Sequence, residues 1–315
     1  MRVLVTGATG FLGHAVTAAL ARHGHEPVAL SRGDRPLPRS AVAAVSADVL
    51  DLDTVRAAVG GVDGVCHLAA RTRVRDSLTN PLPYWHTNLG GTLNLLDALT
   101  DNAARRGPLA LVLASTASVY GAATQQPISE DAPTLPQNPY GASKLAADHA
   151  AASVAATGVL GAVSLRACNI AGAAAGVTDT DFTRLIPKVL AVLAGLESEL
   201  VINGDGSAVR DFVHVLDMAE AFALALDACV PGQWRPYNVG SGTRVRVLDV
   251  LRAAEQVTGR RVVVRHRPPA NEPPVLLADS TRIKHDLGWT PHHSNLTTIL
   301  TDGWNTLIRA YSPQG

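Results

Sequence analysis

Short apolar runs alternate along the chain with longer stretches whose apolar positions recur at helical spacing. That is the pattern of strands alternating with helices. Val3, Leu4 and Val5 form the first run, too short for a helix, and residues 11–22 follow with Val16, Ala19, Leu20 and His23 on one stripe. The same reading predicts strands over 27–30, 42–45, 62–68 and 109–113, and a helix over 52–59 closed by Gly60 and Gly61. It predicts further helices over 84–104, interrupted in composition at Gly90-Gly91, and over 140–156. Gly24 suits a left-handed cap on the first helix. Residues 71–83 read as a polar loop, and residues 125–139, with four prolines, as another. Pro139 fits the first turn of the helix that follows, where it loses no hydrogen bond. Strands alternating with helices at this spacing imply an α/β fold, a doubly wound parallel sheet with helices on both faces.

The first strand runs into Gly7, Gly10 and Gly13 and then into the first helix. Strand, glycine turn and helix make a phosphate site: the backbone turns tightly, a pyrophosphate approaches without a Cβ in the way, and helix N–H groups face the anion. The spacing GxxGxxG alone also occurs in ordinary strand-to-helix turns; its place at the first strand and first helix makes it a dinucleotide loop. At the end of the second strand, where an Asp or Glu holds the ribose of NAD, this chain has Ser31 and Arg32, with Arg35 close behind. A hydroxyl and a guanidinium suit a 2′-phosphate, so the site favours NADP, with NAD and a plain basic loop as the alternatives.

Composition narrows the class. The chain has 315 residues, 47% hydrophobic and 17% charged, with 27 Lys plus Arg against 27 Asp plus Glu. A balanced charge argues against nucleic acid or a membrane surface as partner. No apolar run approaches a membrane span, and the chain opens on a strand with no signal peptide. Cys66, Cys168 and Cys229 have no metal spacing and read as small core residues in a reducing cytoplasm; no metal site is expected.

Candidate chemistry lies at strand ends. Ser115 and Thr116 follow the fifth strand, and Tyr140 and Lys144 stand one turn apart on one helix face. A nearby ammonium favours a phenolate, so Lys144 lowers the pKa of Tyr140 and makes it a usable base. His67 sits among apolar residues and reads as structural.

TGATGFLG at 6–13, HLAA at 67–70, Asn88, ASTASVYG at 114–121 and YGASK at 140–144 together resemble the extended short-chain dehydrogenase/reductase family. LRACNIAG at 165–172, NGDGSAVRDFVHVLDMAEA at 203–221 and YNVGSGTRVRVLDV at 237–250 resemble its nucleotide-sugar 4-epimerase branch within the NAD-dependent epimerase/dehydratases. The likeness runs to about GWTP at 288–291. It implies a Rossmann-like nucleotide domain over 1–166 plus about 212–239, a smaller C-terminal α/β substrate domain over 167–209 and 240–315, and a homodimer packed through the helices at 84–104 and 140–156.

The resemblance also implies roles. Tyr140 is the base, Lys144 holds the nicotinamide ribose, and Thr116 hydrogen-bonds the sugar 4-oxygen. Gly7, Gly10, Phe11 and Leu12 form the pyrophosphate loop; Asp48 and Val49 meet adenine; Leu68, Ala69, Ala70, Asn88 and Ser115 line a tightly bound NAD(P). Asn169 and Arg210 hold the diphosphate of a nucleotide sugar, and Leu185 approaches its base. The family's second diphosphate arginine falls on Pro269, with Arg267 nearby as a substitute, and a base-loop asparagine becomes Arg184. Thr116-Ala117 stands where a dehydratase carries Asp-Glu, which argues against water loss. The implied activity is UDP-hexose 4-epimerisation through a 4-keto sugar. An NADPH-dependent ketoreductase on a related nucleotide and a non-enzymatic dinucleotide sensor are the alternatives.

Overall fold

A computed structural model of the chain describes residues 1–33, 35–269 and 273–311. The last part of the expected substrate domain, 312–315, and its residues 270–272 lie outside the described residues. The first half runs β1 (Arg2–Thr6), α1 (Phe11–Arg22), β2 (Glu26–Ser31), β3 (Ala43–Ser46), α2 (Leu52–Val59), β4 (Gly64–His67), α3 (Val74–Thr79) and α4 (Leu82–Tyr84). A π-helical turn (Trp85–Gly90) leads into α5 (Gly91–Arg106), β5 (Leu109–Thr116), a 3-10 turn (Ala117–Tyr120), α6 (Pro139–Ala155) and β6 (Leu160–Ala167). Shorter strands follow: β7 (Asn169–Ala171), β8 (Ala173–Ala174), β9 (Val177–Thr178), then α7 (Leu185–Leu193), β10 (Leu200–Asn203), β11 (Val209–Arg210) and β12 (Phe212–His214). The chain ends with α8 (Val215–Asp227), β13 (Trp234–Val239), β14 (Val245–Arg246), α9 (Val247–Thr258), β15 (Val264–Arg267), β16 (Val275–Leu276), α10 (Thr281–Leu287) and α11 (Leu296–Tyr311).

Seven strands form one sheet in the order β13-β6-β5-β4-β1-β2-β3, and every pair is parallel. Both faces are buried, which explains the unbroken apolar runs. Along β1, Val3 and Val5 join one core with α1 and α8 through Val16, Leu20, Phe222 and Leu226. Leu4 points to the other, with Val55, Leu95, Leu99 and Ala151 from α2, α5 and α6. Each buried branched side chain contributes on the order of 1.5–3 kcal/mol relative to exposure. A third core joins α7, α9 and α11 through Leu190, Leu251 and Trp304. It lies under the small sheets β10-β15 and β14-β11-β16. No helix among the described residues is long and apolar enough to cross a membrane.

Two stretches differ from the sequence reading. The expected loop at 71–83 is helical over Val74–Thr79. Its order comes from a distant partner: the buried Tyr84 hydroxyl donates to the Arg73 carbonyl at 2.7 Å and to Asp76 Oδ2 at 2.9 Å. The expected interruption at Gly90-Gly91 is a wide turn inside continuous helix. Gly91 is there for packing, because a Cβ would come within 2.9 Å of Val49 Cγ2. Among the cysteines, Cys66 is fully buried, whereas Cys168 and Cys229 are only half-buried; all three are unpaired.

Candidate active site

The strand order places β2 on one side of β1 and β4 on the other. The winding therefore reverses between β1 and β4, where open α/β sheets bind ligands at the carboxyl ends of their strands. Gly7 leaves β1 at that point with φ +68°, and a Cβ on it would lie 2.8 Å from the Ala69 amide nitrogen. On Gly13 a Cβ would meet the Gly7 carbonyl oxygen at 2.3 Å. The glycines thus bring the turn, the end of β4 and the start of α1 into contact. Gly10 caps α1 without any side-chain hydrogen bond. The first-turn N–H groups, those of Phe11 and Leu12 among them, therefore have no partner within the helix, as an anion site requires. This cradle fits a dinucleotide pyrophosphate.

His67 braces the cradle from below. The Thr6 hydroxyl accepts from the Leu68 and Ala69 amides at 3.1 Å, which leaves its proton for His67 Nδ1 at 2.7 Å. The other ring nitrogen then donates to Thr92 at 3.1 Å, and Thr92 donates to the Asn88 carbonyl at 2.6 Å. Burial and the charge of Lys144 push the imidazole down to about 3, so it is neutral and structural. Leu68, Ala69 and Ala70, half-buried, follow directly.

At the ribose end, Ser31 exchanges hydrogen bonds with the Gly33 backbone. Arg32 is exposed and reaches Asp48 at 3.7 Å. Asp48 itself accepts from the Leu50 amide at 3.0 Å, while Val49 is buried against α5. Asn88, in the wide turn, is fully buried and sits beneath the site. Its amide accepts from Arg71 N at 2.8 Å and donates to the Arg71 carbonyl at 3.1 Å and Ser143 Oγ at 3.0 Å. It thereby fastens the segment after β4 to α6.

Thr116 ends β5 and Tyr140 opens α6. The Thr116 side chain faces the Tyr140 phenol. Asn138 caps α6, accepting from Gly141 N at 2.8 Å, and Ser77 accepts from the Tyr140 amide at 3.3 Å. The phenol is thus aimed by both a helix cap and α3. Burial raises the Tyr140 pKa, while Thr116 and the Arg184 guanidinium pull it back. The sequence reading assigns that lowering role to Lys144, and the structure places the Arg184 guanidinium as a further cation facing the phenol. Lys144 is instead buried, and burial pushes it down to about 8 against the opposing Asp148 carboxylate. The Ser115 hydroxyl donates to that same carboxylate at 3.0 Å.

The remaining candidates come from the C-terminal half. Arg184 donates to Asp179 at 2.8 Å and to Thr72 at 2.9 Å, and Arg73 reaches Asp181 at 3.2 Å. These pairs join the segment after β4 to the segment before α7, where Leu185 begins the helix. Asn169 donates to the Asp211 carbonyl at 2.9 Å. Arg210 donates to the carbonyls of Val209 and Pro273, each at 2.9 Å. Arg267 lies apart on exposed β15 and donates to Asn203 at 2.5 Å. Sequence reasoning missed Asp211, fully buried, which accepts from Ser241 and Ala278 amides and fastens both loops beside Arg210. It also missed Asp148, which i, i+4 spacing from Lys144 could have revealed.

The NAD dependent epimerase/dehydratase family model matches residues 3–240. A UDP-glucose 4-epimerase of Corynebacterium glutamicum is 39% identical over 96% of this chain and 95% of its own. One of Streptomyces lividans is 38% identical over the same shares. The structure of UDP-glucose-4-epimerase from Stenotrophomonas maltophila, with bound NAD and formylated UDP-arabinopyranose, superposes with a TM-score of 0.90 at 33% identity, covering 98% of this chain and 99% of that one. The family match over residues 3–240 and these full-length relatives show that the chain belongs to the NAD-dependent epimerase/dehydratase family.

Proposed function

We propose that this protein is a nucleotide-sugar 4-epimerase that inverts C4 of a UDP-hexose. The observation that carries the reading is the Thr116–Tyr140 hydroxyl pair at the carboxyl end of β5, with Lys144 buried one turn along α6. NAD(P), which the cradle of Gly7, Gly10, Phe11 and Leu12 would hold, would supply reversible hydride acceptance at C4. Tyr140 accepts the proton of the sugar 4-hydroxyl, directly or through Thr116, and gives it back. Arg184 lowers the cost of the phenolate. Asn169 and Arg210 hold the diphosphate while the sugar turns, and Leu185 borders the nucleobase. The cleft lies between the large sheet's carboxyl edge (1–166 with 212–239) and the layer built from 167–209 and 240–315. Two copies pair through α5 and α6, whose outward sides carry Leu93, His149 and Ser153. Three unpaired cysteines fit a cytoplasmic setting.

Ser31 and Arg32 support NADP over NAD. The Arg32–Asp48 pair is exposed, worth about 0–1 kcal/mol, and a 2′-phosphate can displace it. The same observation favours a second reading, an NADPH-dependent ketoreductase. Mass spectrometry of the cofactor retained by the purified protein, followed by a panel of UDP-, GDP-, CDP- and dTDP-sugars, separates them. We expect a retained dinucleotide and interconversion of UDP-glucose and UDP-galactose without net oxidation. Stoichiometric consumption of NADPH establishes the reductase instead.

A further inference from the structure

Two stretches that are distant in the chain meet at the carboxyl edge of the large sheet, and their contacts with each other serve no step of the mechanism above. The first is 71–73, directly after the turn at Leu68 and Ala69 that closes on Gly7. It is held firmly from behind. Arg71 exchanges two hydrogen bonds with the buried Asn88 amide, and the Arg73 carbonyl accepts from the Tyr84 hydroxyl at 2.7 Å. The second is 179–184, directly before α7, and it folds on itself. Asp179 accepts from the Asp181 amide at 2.9 Å, Asp181 accepts from the Thr183 amide at 3.2 Å and its hydroxyl at 2.7 Å, and the Arg184 amide donates to the Asp181 carbonyl at 3.0 Å.

Two arginines cross between these stretches in opposite directions. Arg73 Nε donates to Asp181 Oδ2 at 3.2 Å. Arg184 donates to the Thr72 hydroxyl at 2.9 Å with one nitrogen and to Asp179 at 2.8 Å with another. The carboxylate side chains are 9% and 14% exposed, whereas Arg184 and Arg73 are 38% and 58% exposed. The crossing therefore lies at the surface, with its anions sheltered beneath. Tyr140 is close behind it: its amide donates to Ser77 of α3, the helix that Arg73 precedes, at 3.3 Å. Two guanidiniums against two carboxylates leave no net charge, so the crossing neither attracts nor repels an anionic ligand. Its effect is on access.

We propose that the Arg73–Asp181 and Arg184–Thr72 contacts form a strap across the mouth of the site, closed at rest and parted for each entry and release of the sugar nucleotide. That ligand rests on the epimerase reading; the strap itself does not. Part-exposed pairs of this kind are weak enough to open within a turnover, and two firmly held anchors let them reclose in register.

Arg73→Gln with Thr72→Val removes both crossings from one side and alters no residue of the catalytic or binding machinery. In stopped flow with UDP, on the protein with its retained dinucleotide, we expect association and release to quicken together, each at least about threefold, with the affinity kept within about twofold. Raising salt from about 0.05 to 0.5 M quickens release from wild type more than from the variant, because only wild type has the pairs to screen. Hydrogen exchange reads the strap without a nucleotide: the amides of Asp181, Thr183 and Arg184, all unaltered, exchange faster in the variant. Arg73→Lys with Thr72→Ser, which keeps a cation and a hydroxyl, returns these readings towards wild type. Unchanged UDP rates overturn the proposal, and faster exchange beside them reduces the contacts to a static brace. Faster release with unchanged association also overturns it, because the residues then hold the ligand themselves. If wild type binds no UDP, the nucleotide-sugar reading fails while the exchange measurement still decides whether the strap holds the two stretches together.

Discussion

At the residue scale, the site separates side chains that do chemistry from side chains that hold still. On the proposed function Tyr140 belongs to the first group: it is half-buried, with the Thr116 side chain and the Arg184 guanidinium facing it. Tyr140→Phe removes the proton carrier but keeps the ring, so we expect normal folding and dinucleotide retention with turnover down at least about a hundredfold. Thr116→Ala loses a hydrogen bond and costs less. Steady-state rates beside the cofactor content of each variant check this; a Tyr140→Phe protein with near-normal turnover removes the base assignment. His67 belongs to the second group. Its folded pKa, about 3, lies below the ordinary 6.5. Between those values the unfolded chain binds a proton that the native protein refuses. The stabilisation is therefore whole above pH 6.5 and is lost as pH falls through that window. His67→Gln removes this titration. The slope of unfolding free energy against pH, measured by denaturant melts from about pH 4 to 6, should flatten by about 1.4 kcal/mol per pH unit. An unchanged slope means that His67 is protonated in the native state.

At the scale of elements, what was readable in the sequence was whatever repeats locally. The helix at 52–59 was placed with its observed bounds, Leu52–Val59, because Asp51 caps it and an apolar stripe runs along it. The strands β1, β4 and β5 showed as apolar runs because both faces are buried. The glycine cradle and the Tyr140–Lys144 pair were equally plain, being local patterns. What escaped was order imposed from a distance. α3 exists because Tyr84 and Tyr140 reach it, and no periodicity in 71–83 announces that. Arg184 was visible only as a departure from a family pattern; its place beside Tyr140 depends on how the segment 179–184 folds back onto Thr72. Asn88 shows the consequence for function. It is the peg between the segment after β4 and α6, so Asn88→Ala leaves the Arg71 amide and carbonyl without their partner. Unmaking such buried bonds costs about 1–3 kcal/mol. We expect reduced thermal stability and a fall in kcat with intact secondary structure by circular dichroism. Unchanged stability and kcat would show that water replaces the amide.

At the scale of the whole molecule, the proposed function divides the ligand between the two halves. On that reading the large sheet offers one pyrophosphate the backbone N–H groups of α1, which carry only partial charge. A second diphosphate, on the sugar nucleotide, needs full cations, because burying an unpaired anion costs several kcal/mol. The C-terminal half offers Arg210 and Arg267, and they are not equivalent. Arg210 lies on β11, which pairs with β14 on one side and β16 on the other. Its guanidinium is oriented by two carbonyls, and Asp211 next to it fastens the loops at Ser241 and Ala278. Arg267 sits on the two-stranded β10-β15 sheet, exposed and turned to Asn203. A cation already held in place spends less entropy in binding than one that must be recruited from a surface. We therefore expect Arg210→Ala to weaken UDP binding about 10- to 100-fold, the scale of a charge-assisted hydrogen bond, while dinucleotide retention is untouched. Arg267→Ala should change it less than about threefold, as befits an exposed charge. Titration calorimetry with UDP on both variants reads the difference. Equal losses mean that β15 closes onto the ligand, and no loss at Arg210 means that the substrate carries no diphosphate there.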